Sequence, residues 1–369
     1  MSQYLGTANL ASAIERFAAA FTTAPRVTRR RSRVLGAPTV RFMTEGELLW
    51  TPDPAAAAQP TVARFMAWLA ADRGHAFATY DELWRWSVTD LDGFWAAVWD
   101  FFEVRSAQPY SQVLSSRTMP GAVWFAGSRV NYAEHLLRHE RAATPGEAAI
   151  VHSSELRPLA RMSWRELGGA VRVLATQLRA LGITPGDRVV AYLPNIPETV
   201  IAMLAATAIG AVWASAAPEF GARTVIDRFA QIEPKLLFVA DGYRFGGKDF
   251  DRADEIRAIL AELPTVERVV WLPYLDPASR APFANAISWP ELMAHPPVDM
   301  DTFAYEHVAE DHPLWVLFSS GTTGLPKPIV HGHVGTLLEH LKSTGLGQNL
   351  GPHTRMFFYT TTGWMMFNA

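Results

Sequence analysis

From about residue 145 the chain alternates short apolar runs with amphipathic stretches of helical length. Ala149–His152 reads as a strand, and Ser163 with Glu166 has the spacing of a capping box that opens a helix running to about Leu181. Gly182 stops that helix, Pro185-Gly186-Asp187 turns the chain, and the Val-rich run Arg188–Leu193 reads as the next strand. The pattern continues with helix 197–209, strand 211–215, helix 222–231, strand Leu236–Ala240, helix Asp251–Leu263 and strand Arg268–Leu272. Strands buried on both faces read as continuous apolar runs, so the pattern predicts an α/β architecture with a parallel sheet flanked by helices. A further strand, Leu314–Phe318, leads into a Gly- and hydroxyl-rich loop.

The region before residue 140 has a different pattern. Trp50, Trp68, Trp84, Trp86, Trp95, Trp99 and Trp124 fall in it. Leu91–Phe102 sets Phe94, Trp95, Val98, Trp99 and Phe102 at helical spacing behind Asp90, a plausible N-cap. Such a stripe is core packing, and 45–140 is expected to be a cap built around these rings. Met119–Tyr132 reads as loop with short extended pieces, before a helix Ala133–Arg138. The expected organisation is a flexible basic tail over 1–44, the cap over 45–140, and an α/β domain over 141–369.

Thr199–Ala217 carries no charge and is long enough to span a bilayer. Gly210 and Pro218 punctuate it, so it reads as a buried helix, a turn and a buried strand. No secretory leader is evident.

With 369 residues and 49% apolar composition, the chain can bury a large core. The net charge of −3 argues against a dedicated nucleic-acid binder. No cysteine is present, which removes disulfides, zinc–thiolate sites and thiol nucleophiles. A soluble, cytoplasmic protein acting on small molecules is the expectation, with no membrane or nucleic-acid partner. Only four lysines occur, at 235, 248, 327 and 342.

One of them closes the most informative segment, Phe318-Ser-Ser-Gly-Thr-Thr-Gly-Leu-Pro-Lys327. A buried strand, a loop of glycines and hydroxyls, and a basic residue make a phosphate cradle: glycines let backbone N–H groups approach an anion. It is not a Walker-A loop, because only two residues separate Gly321 from Gly324. A helix holding Thr336–Leu341 is expected to follow.

This segment is similar to the signature of acyl-adenylate-forming enzymes, the acyl-CoA synthetases and their relatives. Tyr80–Phe102 and Met119–Arg138 resemble the N-terminal region of acetyl-CoA-synthetase-type ligases. Leu49–Asp53, Trp84–Asp90 and Thr360–Met366 look most like the acetoacetyl-CoA synthetase group. The resemblance implies an adenylate-forming N-terminal domain. It also implies ATP-dependent activation of acetoacetate, with transfer of the acyl group from AMP to coenzyme A. ATP, Mg²⁺ and coenzyme A follow as cosubstrates. By matching motifs, Ser319, Ser320, Gly321, Thr322, Thr323 and Gly324 hold the ATP phosphates together with Lys327, and Thr322 and Lys327 are the catalytic candidates. Gly363, Trp364, Met365 and Met366 correspond to the acyl pocket. Asp241–Lys248 resembles the loop that meets the nucleotide phosphates of coenzyme A, which makes Arg244 and Lys248 the candidates there; a solvated turn is the other reading of this segment. Pro218–Gly221 is also family-like, without an assigned role. His333 stands at the family's His position, or is a helix-start His satisfied by packing. His331, His333 and His340 lack the partners of a metal site, and none is expected.

In the family, the acidic residue that binds ribose, the adenine and Mg²⁺ segment, the hinge and the mobile C-terminal domain with its Lys would lie downstream of the pocket segment. The expectation is therefore an N-terminal part of an acetoacetate–CoA ligase, inactive alone. A ligase for another short acid, such as acetate or hydroxybutyrate, and a non-catalytic binding remnant are the alternatives.

Overall fold

A computed structural model describes residues 53, 55, 58–319 and 324–368. The expected basic tail and Trp50 lie outside the described residues. All of the described residues but Asp53 belong to the compact unit Ala55–Ala369.

Fifteen strands occur among the described residues: β1 (Gln112–Leu114), β2 (Trp124–Ala126), β3 (Arg129–Val130), β4 (Ala148–His152), β5 (Ala160–Ser163), β6 (Arg188–Tyr192), β7 (Val212–Ala216), β8 (Leu236–Ala240), β9 (Gly242–Phe245), β10 (Lys248–Asp251), β11 (Arg268–Leu272), β12 (Ala286–Ser288), β13 (Val308–Ala309), β14 (Pro313–Ser319) and β15 (Lys327–Gly332). Seven form the central sheet, in the order β12-β11-β8-β6-β7-β14-β15. Every neighbouring pair in it is parallel except β14 with β15. Val189, Val190, Leu236, Leu237, Val269 and Val270 are fully buried, as both-face coverage by helices requires.

The uncharged stretch after Thr199 is the helix Pro197–Ala208 followed by β7. Proline starts the helix, where its missing N–H costs nothing. Ten of its 12 residues are buried, so it is apolar all round because protein surrounds it. Gly210, at φ +74°, makes the turn into β7. Among the described residues no helix is long and apolar enough to cross a membrane. The capping box is present: Ser163 and Glu166 satisfy each other's backbone N–H groups ahead of the helix Trp164–Ala180.

The aromatics of the N-terminal region do pack together. Phe65 meets Phe101 edge-on at 5.1 Å between centroids, and Trp99 stacks on Phe125 at 4.6 Å. Trp84 is an exception, being 53% exposed. Asp90 caps the helix Leu91–Phe101 by accepting from the Gly93 N–H. Asn131 ties this layer to the sheet domain. Its Nδ2 donates to the carbonyls of Thr207 and Glu306 at 3.0 and 2.8 Å, while its Oδ1 caps the helix Tyr132–Leu137.

Three elements depart from the sequence-based expectation. The phosphate loop does not lead straight into a helix: β15 intervenes, antiparallel to β14, and the helix begins at His333. Strand β15 is a sheet edge with Lys327–Val330 exposed, which is where a strand tolerates Pro328. Asp241–Lys248 is not an open loop. It enters the hairpin β9–β10, turning on Gly246 and Gly247 at φ +61° and +74°. Two consecutive positive φ values are the turn that glycine pairs serve. The helix expected from Asp251 consequently starts at Ala253. Finally, β5 pairs with β4 in an antiparallel ribbon just before the capping box.

Candidate functional site

Ligands of open α/β sheets gather at the carboxyl ends of the strands. Here β14 ends at Ser319, which lies across from Lys327 in the antiparallel register. Ser320, Gly321, Thr322 and Thr323 lie outside the described residues. The far arm begins at Gly324, whose φ of +114° is a glycine conformation. Gln231 fixes this arm by donating from Nε2 to the Pro326 carbonyl at 2.8 Å. Lys327 is exposed at the start of β15 and carries a compact point charge.

The second candidate segment, Thr360–Met366, lies over the neighbouring strand ends. Thr362 donates from Oγ1 to the Leu193 carbonyl just past β6, at 2.7 Å. Ser215 of β7 donates to the Thr362 carbonyl at 2.8 Å. Thr361 donates to Glu219 at 2.7 Å. Tyr192, at the end of β6, donates to the carbonyls of Pro218 and Phe220 and so fixes Phe220. Gly363 rests against that ring; a Cβ there would come 2.6 Å from Phe220 Cζ. Only glycine fits so close to a ring that is itself held.

The result is a small recess bounded by Ser215, Arg228, Phe318, Thr362, Gly363 and Trp364. Gly363, Trp364 and Met365 of the expected acyl pocket line it. Met366 is 45% exposed on the short helical turn Met365–Phe367. Trp364 is 53% exposed and stacks on Phe358 at 6.2 Å. Arg228 and Ser215 were not singled out by sequence. Arg228 packs over the Phe220 ring at 5.1 Å. Burial, more than offsetting the nearby Asp227, makes its charged form less favourable than usual. Their only sequence signal is proximity to the family-like segment Pro218–Gly221.

Arg244 and Lys248 stand on the two strands of the β9–β10 hairpin, a two-stranded sheet separate from the central one, in which β14 ends at Ser319. Arg244 is engaged by Asp249, with Nη2 to Oδ2 at 3.0 Å. The hairpin tip is held by Glu155, which accepts from the N–H groups of Gly246 and Gly247 at 2.7 Å each.

His333 is fully buried, and its Nδ1 accepts from the Tyr132 N–H at 3.2 Å. That bond fixes the neutral tautomer with the proton on Nε2 and joins the cap to the sheet. The His333 Nε2 is buried without a hydrogen-bond partner among the described residues, so packing satisfies only one of the two ring nitrogens. His340 instead meets the Tyr132 hydroxyl at 2.9 Å. No group of three or more His, Cys, Asp or Glu that could hold a metal occurs among the described residues.

Burial, helped by His312, pushes His333 down to about 3. Burial, with Arg138 second, pushes His135 to about 3 as well. Both stay neutral in the folded chain while the unfolded chain takes up their protons below about 6.5. Stability should therefore fall as pH drops from 6.5 toward 3, by at most about 1.4 kcal/mol per pH unit for each histidine. Urea midpoints measured at pH 7 and pH 5 should show that loss. His333→Asn, which keeps an acceptor for Tyr132, should reduce it; an unchanged pH dependence would mean His333 is protonated when folded.

Comparison with known proteins fits this geometry. The family model described as AMP-binding enzyme matches residues 137–368. The chain belongs to that family. A second model, described as acetyl-coenzyme A synthetase N-terminus, matches residues 80–136. Acetoacetyl-CoA synthetase from Rattus norvegicus is 37% identical over 330 residues, covering 88% of this chain and 48% of the relative. Acetoacetyl-coenzyme A synthetase from Rhizobium meliloti (strain 1021) is 39% identical over 322 residues, covering 87% and 48%. The solved structure of acetoacetyl-CoA synthetase from Streptomyces lividans superposes with a TM-score of 0.82 at 50% identity, covering 87% of this chain and 49% of that one. The fold is thus the acyl-adenylate-forming one, and the chain spans about half the length of the curated relatives it matches.

Proposed function

We propose that this chain contributes the phosphate loop and acyl recess of an acetoacetate–CoA ligase. Acetoacetate attacks the α-phosphate of ATP, acetoacetyl-AMP forms with release of diphosphate, and the coenzyme A thiolate then displaces AMP. What carries the reading is the likeness to acetoacetyl-CoA synthetases at 37–50% identity along nearly nine-tenths of the chain. The two family matches meet at residues 136 and 137, which supports a cap over 45–140 and an AMP-binding domain over 141–369.

In this reading Ser319 and Lys327 frame the hydroxyl donors Ser320, Thr322 and Thr323 around the β- and γ-phosphates. Two anions must approach each other, and fixed donors aimed at developing charge lower that barrier. Mg²⁺ would enter on the ATP phosphates, as this ion commonly does. Gly363, Trp364 and Met365 shape the slot for a short acyl chain, with the Arg228 guanidinium beside it as a handle for its polar end.

The test is acid-dependent ATP–diphosphate exchange. A chimaera in which the Streptomyces relative supplies the part unmatched here would be offered acetoacetate, acetate and 3-hydroxybutyrate. Acetoacetate should give the fastest exchange; a faster rate with acetate would overturn the assignment. In the same chimaera Arg244→Ala should raise the coenzyme A concentration needed for half-maximal thioester formation by about tenfold, the cost of one charge-assisted phosphate contact. Exchange should be nearly unaffected, because coenzyme A enters only the second half-reaction. Equal losses in both would make Arg244, with its Asp249 partner, a structural pair.

A further inference from the structure

A second recess lies apart from the proposed catalytic loop. It has a volume of about 230 Å³ and is lined by Arg105, Arg138, Arg141, Glu134, Glu140 and Tyr305, among others. A single water needs only about 10–15 Å³ of such space, so a tetrahedral oxyanion fits. The Glu306 N–H binds the Ala208 carbonyl at the end of the helix that precedes β7. This places the neighbouring Tyr305 by the amino ends of the sheet strands, whereas Ser319 stands at a carboxyl end.

The acidic groups of the recess are all engaged. Both Glu140 oxygens face Arg172, at 2.6 and 3.0 Å. Glu134 meets His307 Nε2 at 2.7 Å. Asp301 pairs with Arg141. The cations are less well matched. Arg138 uses Nη1 on the carbonyls of Phe102 and Glu103, at 2.9 and 3.2 Å, and on His135 Nε2 at 3.2 Å. Arg105 is exposed and makes no hydrogen bond or ion pair among the described residues. Burial and then Arg105 disfavour the charge on Arg138, which Glu103 only partly relieves. Burial, Arg138 and Arg105 all disfavour protonation of the adjacent His135. The lining holds three arginines and three carboxylates, so its formal charge balances. What sets Arg105 and Arg138 apart is that, among the described residues, no carboxylate forms an ion pair with either, whereas Asp301 pairs with Arg141 and Glu140 with Arg172.

We propose that this recess is a binding site for a phosphate-type oxyanion, held by Arg105 and Arg138. Arginine forks match tetrahedral oxyanions bidentately. Bound phosphate would relieve the repulsion between the two guanidiniums and draw the Arg105 side chain over the cap's edge. The group could arrive as free phosphate or on a small phosphorylated molecule; the shared chemistry is the dianionic phosphate.

Binding of inorganic phosphate by the 369-residue chain tests this, measured by calorimetry and phosphorus NMR line width at fixed ionic strength. A Lys327→Ala background removes the lysine of the proposed ATP loop, so the two sites are distinguished. In that background millimolar phosphate should still bind, and adding Arg105→Glu should weaken binding about tenfold or more. Thermal unfolding in chloride should be unchanged, as Arg105 touches no described partner; if Arg105→Glu unfolds the chain, Arg105→Gln makes the same comparison. A phosphomonoester that binds more tightly than phosphate through Arg105 would assign the group to a small molecule, and equal affinity would assign it to the free ion. No phosphate binding in the Lys327→Ala chain, or binding indifferent to Arg105, would overturn the proposal.

Discussion

Replacing Lys327 with alanine is expected to slow acetoacetate-dependent ATP–diphosphate exchange by about 10²-fold or more, measured in the chimaera with the Streptomyces relative. Removing one preorganised donor from a site of developing charge costs about 2.7–4 kcal/mol of transition-state stabilisation. Lys327 is suited to that role by position. It opens β15 directly across from Ser319, so its ammonium stands at the loop's exit while the Ser319 hydroxyl stands at its entrance. It is also exposed, so its loss leaves no cavity and exposes no unpaired partner. The fold should survive, and unchanged thermal unfolding would separate a chemical defect from a structural one. Lys327→Arg should recover only part of the rate, because a planar fork replaces a compact charge. Exchange at the unmutated rate in Lys327→Ala would remove this loop from the mechanism.

The parallel strands were legible because burial on both faces leaves an unbroken apolar run: Leu236–Ala240 and Arg268–Leu272 occur with the expected bounds. Helix starts were legible where a side chain does the capping, at Asp90 and Ser163. Strand β15 was not, because an exposed edge strand has no inward apolar face to mark it and Pro328 reads as a breaker. The β9–β10 hairpin carried its signal in Gly246-Gly247, a pair suited to a turn with two positive φ values. The phosphate loop could be found because its residues are consecutive. The recess beside it was legible only in part: Gly363, Trp364 and Met365 belong to the family-like run Thr360–Met366, whereas Ser215 and Arg228 were not singled out. Ser215, Arg228 and Thr362 come from distant parts of the chain and meet only after the sheet has brought β7 beside β14. Periodicity reports which face is buried, not which strand ends become neighbours.

Glu140→Ala should be strongly destabilising, costing about 3–5 kcal/mol. The Glu140 and Arg172 side chains are each 6% exposed and pair bidentately. Arg172 also donates from Nε to the Val298 carbonyl at 2.9 Å. The pair joins the short helix His139–Ala142 to the helix Trp164–Ala180. Gly168 makes it possible: a Cβ there would collide with the Glu140 carboxylate. A glycine inside a helix costs roughly 0.5–1 kcal/mol relative to alanine, so its presence amid good helix formers marks the space the carboxylate occupies. Deleting the carboxylate strands a guanidinium away from water, and that desolvation, not the lost attraction, sets the size of the effect. Against a typical total stability of about 5–15 kcal/mol, the variant should lose much of its resistance to urea at pH 7. Replacing both partners, as Glu140→Leu with Arg172→Met, should restore most of it, because no buried charge is left unpaired. A Glu140→Ala chain with the urea midpoint of the unmutated protein would mean that water already reaches Arg172.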